Sequence, residues 1–175
     1  MVSREISGMI NKQINAELWS AYLYLSMSLD ADYKGLRGVS NWFYVQAQEE
    51  LHHAHLLQNY MSAQGSKVEL LPISGVQSSG PNPLTMFEKA LQHETFVTGL
   101  IHDIVKESQK EQDYATLSKM QWFVDEQVEE ENKASTLVFK MKEAVKSSCY
   151  LYKLDDELAK RKYEEPEHLR AENWI

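Results

Sequence analysis

A chain of 175 residues, 43% of them hydrophobic, is long enough to close a sizeable core in one domain. Its net charge of −8 excludes nucleic acid as a natural partner, because phosphate binding needs clustered Lys and Arg. One cysteine, Cys149, excludes an intrachain disulfide and a zinc cluster of cysteines, and points to a reducing cytoplasm.

The first residues contain no apolar run and no small-residue cleavage pattern, so no secretory signal is expected. No apolar stretch approaches the length of a membrane span. The scarcity of Gly (7) and Pro (4), neither of which interrupts the periodic segments, favours long helices. A first helix is expected from about Ser3 to Ala31, with an apolar seam of Ile10, Ile14, Ala21 and Leu25. Asp32–Gly38 is a short turn with two glycines, so the second helix, about Val39 to Gln64, runs back against the first. Its seam is Phe43, Ala47, Leu57 and Met61.

Residues 65–83 are rich in Gly, Ser, Pro and Asn and form a long loop, uncommon in a compact domain. A crossover between parallel helices explains it. A helix of about 27 residues is roughly 40 Å long, and the extended loop can reach about 60 Å. A bundle with one long crossover has the ferritin-like topology. Asn82-Pro83 can cap and start the third helix, or Thr85 with Glu88 can form a capping box.

The third helix is expected from about Leu84 to Lys110, with Phe87, Leu91, Val97, Ile101 and Ile104 on its seam. The short Gln109–Asp113 link turns the chain into a fourth helix from about Tyr114 to Lys146. Met120, Phe123, Ala134, Leu137 and Met141 form its seam. A shorter fifth helix follows from about Cys149 to Tyr163, then an extended tail over residues 164–175. The expectation is a single all-α domain, residues 1–175, whose four-helix bundle occupies about 3–146. Cys149 is expected to be a buried small hydrophobe. His93, His102 and His168 are expected to be surface or packing residues, and His52 and His55 to face away from His53.

Every seam is broken near its middle by groups that resist burial. Glu17 interrupts the first, Glu50 and His53 the second, Glu94 the third, and Gln127 and Glu130 the fourth. A lone interruption is ordinarily a misjudged helix face. Interruptions on all four helices at matching height suggest convergence, and converging buried carboxylates need a multivalent cation. Glu50-x-x-His53 sets both groups on one face, one turn apart, and such a pair with a Glu from another helix is the half-site of di-iron bundles. Carboxylates with one imidazole suit iron better than zinc.

The words Asn15-Ala16-Glu17-Leu18-Trp19-Ser20-Ala21-Tyr22-Leu23-Tyr24, Ala47-Gln48-Glu49-Glu50-Leu51-His52-His53-Ala54, His93-Glu94 and Gln121-Trp122-Phe123-Val124-Asp125-Glu126-Gln127-Val128-Glu129-Glu130-Glu131 resemble bacterial non-haem ferritins in order and spacing. The resemblance covers nearly the whole chain. It implies iron storage with ferroxidase activity, using Fe(II) and dioxygen or peroxide, in a hollow 24-subunit homo-oligomer without membrane or nucleic-acid partners. It implies that Glu17, Glu50 and His53 hold the first iron, and that Glu50 bridges to a second held by Glu94 and, variably, Gln127 or Glu130. A third, accessory iron would use Glu49, Glu126, Glu129 and Glu130. Tyr24 and Trp122 would supply electrons. The related bacterioferritins carry a second Glu-x-x-His where this chain reads Gln127-x-x-Glu130, and a haem-ligating methionine where it has Leu51, so no haem is expected. Animal ferritins line a three-fold channel with carboxylates at positions that fall at Leu117 and Met120, so iron is expected to enter by another pore. A purely structural bundle would explain the seams but not the convergent carboxylates.

Overall fold

The computed structural model describes residues 2–76 and 82–164, and among these described residues it has five helices and no strand. They are α1 (Arg4–Tyr33), α2 (Arg37–Ala63), α3 (Pro83–Lys110), α4 (Tyr114–Ala144) and α5 (Ser148–Leu158). Part of the crossover, and the tail with His168, lie outside the described residues. Among the described residues, no helix is long and apolar enough to cross a membrane.

The starts and stops follow from local chemistry. Ser3 caps α1 by accepting the Ile6 amide at 3.1 Å. The helix ends where Gly35 takes a φ of +77°, letting the Leu36 amide reach back to the Ala31 carbonyl at 3.0 Å. Asn82 caps α3 through the Thr85 amide at 3.1 Å, with Pro83 in its first turn. This is the first of the two capping schemes open to the sequence. Asp113 caps α4 in the same way, through Thr116 at 3.1 Å.

The expected topology is present, and the hydrophobic core shows it by splitting in two. One cluster joins Ile6, Ile10 and Ile14 of α1, Leu56, Leu57 and Met61 of α2, Val97, Ile101 and Ile104 of α3, and Met120 and Phe123 of α4. The other joins the far half of α1 (Leu23–Ala31), the near half of α2 (Val39–Ala47), the start of α3 (Met86, Phe87) and the end of α4 (Leu137–Met141). Both α2 and α3 therefore run from the second cluster to the first, and are parallel. The crossover returns along α1 on a ladder of side chains. Asn11 Oδ1 accepts the Glu69 amide at 3.0 Å, Asn15 Oδ1 the Leu71 amide at 2.7 Å, and Trp19 Nε1 donates to Ser74 Oγ at 3.1 Å.

Helix α5 closes the second cluster with Leu154 and Leu158. It approaches α2 so closely that a Cβ on Gly38 would lie 1.7 Å from the Asp155 carbonyl oxygen. Asp155 Oδ1 accepts the buried Val39 amide at 2.8 Å, capping a helix whose own cap residue, Leu36, supplies no side-chain bond.

Several expectations need correction. Helices α1 and α2 are each longer at the turn, which shrinks to residues 34–36, and α5 stops at Leu158 rather than near Tyr163. Leu25 is 37% exposed, because it faces a groove against α2 rather than the core. Cys149 is exposed on the outer side of α5. Met120 is fully buried in the first cluster and cannot line a channel.

Candidate metal centre

Between the two apolar clusters lies a polar layer. Glu17, Glu50, His53, Glu94, Gln127 and Glu130, one or two from each long helix, are all 5% exposed or less. The helices bring them to one height because each sits between the residues that feed the two clusters.

Glu17, Glu50 and His53 converge, each offering a ligand atom within 4.8 Å of the others. His53 Nδ1 lies 3.9 Å from Glu17 Oε2 and 3.8 Å from Glu50 Oε2. Gln13, one turn before Glu17, donates to its Oε1 at 2.7 Å. Among the described residues, Glu17 Oε2 is buried and receives no hydrogen bond, which is costly for a charged carboxylate. His53 is held edge-on by Trp122 at 5.5 Å and Phe123 at 6.0 Å.

Glu94 faces this trio from α3. The Tyr24 hydroxyl donates to Glu94 Oε1, and Gln127 Nε2 donates to its Oε2 at 3.3 Å and to its carbonyl at 3.1 Å. Thr98 also bonds Gln127, at 3.2 Å, and so fixes the amide. Glu130 accepts from Gln46 Nε2 and Lys133 Nζ, each at 2.8 Å.

The electrostatics follow from burying these carboxylates together. Burial, then the Glu50 charge, pushes Glu17 well above the usual carboxylate range. Burial and then the Glu94 charge do the same to Glu50. Burial raises Glu94 to about 7, against the Tyr24 hydrogen bond that opposes it. Burial and the Glu94 charge also raise the Tyr24 phenol. A divalent cation held here would relieve these burdens, since Glu17 Oε2 is free to ligate it and its charge would compensate the clustered carboxylates. Oxygen donors with one imidazole, open to further ligands, suit ferrous iron.

The acidic set on α4 is arranged differently. Glu126, Glu129 and Glu130 share a face, but Lys133 Nζ sits among them at 4.0, 3.7 and 2.8 Å. Glu49 is paired with Arg161 at 2.5 Å. Sequence reasoning missed both cations, as well as Gln13 and Gln46. Lys133 follows Glu130 by three residues and Glu129 by four, and Gln13 precedes Glu17 by four, so helical spacing held a signal for these two, but not for Gln46, whose partner Glu130 stands on another helix. Arg161 left none, since it meets Glu49 from 112 positions away. Of the other histidines, His102 is exposed, whereas His93 lies half-buried with Nε2 2.6 Å from Ser20 Oγ. Trp19 packs on its ring at 5.0 Å, and burial lowers its pKa to about 4.

Residues 8–144 match the family model described as Ferritin-like domain. The chain is 36% identical over 161 residues to a bacterial non-heme ferritin of Bacteroides fragilis, covering 92% of this chain and all of that one. It is 37% identical over 142 residues to the bacterial non-heme ferritin of Campylobacter jejuni, covering 81% and 85%. Among solved structures, an open-pore ferritin from the hyperthermophilic archaeon Archaeoglobus fulgidus superposes with a TM-score of 0.91 at 42% identity, covering 93% of this chain and all of that one. An engineered closed form of the Archaeoglobus fulgidus ferritin gives 0.92 at 41%, covering 94% and all of it.

Proposed function

The chain belongs to the ferritin family, and from that premise we propose that this iron-storage protein oxidises its substrate, ferrous iron, between its own helices. The observation that carries the reading is the buried convergence of Glu17, Glu50 and His53 from two helices. These three hold one ferrous ion. Glu50 also faces Glu94, so a second ion is shared between Glu50 and Glu94, with the Gln127 amide oxygen or Glu130 completing its ligands. Each ion gives up one electron. Dioxygen takes both electrons with two protons and becomes hydrogen peroxide, or peroxide takes them and becomes water.

The remaining groups shape this chemistry. Gln13 orients Glu17, and Trp122 and Phe123 fix the His53 ring, so the ligands are placed before the metal arrives. Tyr24 is joined to Glu94 and Trp122 touches His53. Both are therefore positioned to give further electrons to the oxidant. Oxidation splits no bond of the protein, and the ferric product leaves for the interior of the shell.

The shell is a homo-oligomer of 24 subunits, placed in the cytoplasm in keeping with a lone thiol. An apolar groove of about 370 Å³ along α1 and α2, lined by Leu18, Tyr22, Leu25, Tyr44, Leu51 and Ile73, supports association. No haem is held there, since Leu51 offers no ligand atom.

The test is a stopped-flow addition of about two ferrous ions per subunit to metal-free protein in air. Glu50→Ala and His53→Ala should each slow the initial phase by about 10-fold or more. Wild-type rates in both variants would reject the ligand assignment, and buffer-like oxidation by the unaltered protein would reject the ferroxidase reading.

A further inference from the structure

Four carboxylates stand beside the two-metal centre on the α2–α4 face: Glu49, Glu126, Glu129 and Glu130. Their arrangement alone would suit an additional cation, but two cations of this chain already hold them. Glu130 is 1% exposed, and both its oxygens are engaged, one by Gln46 and one by Lys133, each at 2.8 Å. The same ammonium lies 3.7 Å from Glu129 and 4.0 Å from Glu126.

Arg161 takes the fourth carboxylate, and it is anchored. Its carbonyl accepts from Asn41 Nδ2 at 2.9 Å, its guanidinium lies 4.8 Å from the centre of the Trp42 ring, and its NH2 group meets Glu49 at 2.5 Å. The chain beyond α5 is thereby tied to α2 at the edge of the metal layer.

We propose that Lys133 is a specificity-determining residue: its ammonium is the third cation of this subunit, and it excludes a third divalent ion from the acidic face. An ammonium and a divalent ion cannot share three carboxylates at these distances without strong repulsion. Binding there requires Lys133 to swing out, which its half-exposed side chain permits at the cost of its ion pairs. Glu17, Glu50, His53 and Glu94 lie on α1, α2 and α3, away from the Lys133–Glu130 pair on α4, and are the ligands that every variant retains. This inference rests on the two-metal reading given above.

The experiment is an anaerobic calorimetric titration of the metal-free, full-length assembly with zinc, a redox-inert stand-in for ferrous iron. It compares wild type with Lys133→Met, which keeps the apolar stem, and Lys133→Arg, which keeps the charge. Wild type and the arginine variant should bind about two ions per subunit tightly, and the methionine variant about three, the added site at least about 10-fold tighter than any wild-type binding beyond two. About three tight ions in wild type, or about two in the methionine variant, would overturn the assignment of Lys133 while leaving the two-metal centre standing. No tight binding in any of them would overturn both.

Discussion

Glu94 is the residue on which pH acts most directly. Its ordinary value of 4.5 is lifted to about 7, chiefly by burial. A metal ion must displace that proton, so divalent affinity should fall as pH drops through about 7, by about 10-fold per unit below it for one proton released. Calorimetric titrations with zinc between about pH 6 and 8 check this, and a pH-independent affinity would show that Glu94 is not a ligand. The same shift has a stability consequence with a fixed sign. Between 4.5 and about 7 the unfolded chain has released a proton that the folded chain still holds. The metal-free protein therefore loses stability as pH rises through that window. Glu17→Gln removes one such burden at Glu17, whose Oε2 no donor satisfies. The variant should unfold about 1 kcal/mol later without metal, and bind metal more weakly. Calorimetric melting with and without zinc separates the effects, and a less stable metal-free variant would contradict the account. The carboxylates were legible in the sequence because each breaks an apolar period. The groups that tune them were harder to see: Gln13 and Lys133 pair with carboxylates one turn away on their own helices, as many surface residues do, and Gln46 meets Glu130 only across the bundle.

Among the elements, the helices were legible because caps and seams agree: Ser3, Asn82 and Asp113 each precede a periodic run. The crossover was legible as a length and a composition, but not as a path. Its path depends on Asn11, Asn15 and Trp19, which sit on the outer side of α1 and read as surface residues. Asn15 carries most of that load, accepting from the Leu71 amide at 2.7 Å and donating to the Glu69 carbonyl at 3.0 Å. Asn15→Ala should loosen residues 66–74, cost about 1–2 kcal/mol, and speed amide exchange and proteolytic cutting there without altering metal binding. Unchanged exchange at Leu71 would mean that packing alone holds the crossover. The length of α5 was misread because its apolar and polar spacing continues past Leu158, while the chain there leaves the helix to let Arg161 reach Trp42 and Glu49.

At the scale of the molecule, the bundle leaves one face apolar, and that face is the subunit contact proposed above. Leu51 is 45% exposed, and beside it stand Tyr44 at 51%, Tyr22 at 49% and Ile73 at 47%. Large side chains exposed side by side are costly in water. The sequence disguised this face, because Leu25 extends the inner seam of α1 by spacing yet turns outward into the groove. Leu51→Glu places a charge in the groove without touching either core cluster. A buried, unpaired carboxylate costs several kcal/mol, roughly, in each contact it enters. The variant should therefore run as a much smaller particle in size exclusion with light scattering. Because Glu17, Glu50 and His53 all come from one chain, it should still bind zinc tightly. A particle of wild-type size would remove the groove from the subunit contacts. Loss of zinc binding with loss of assembly would instead show that the helices need their neighbours to hold the metal layer in register.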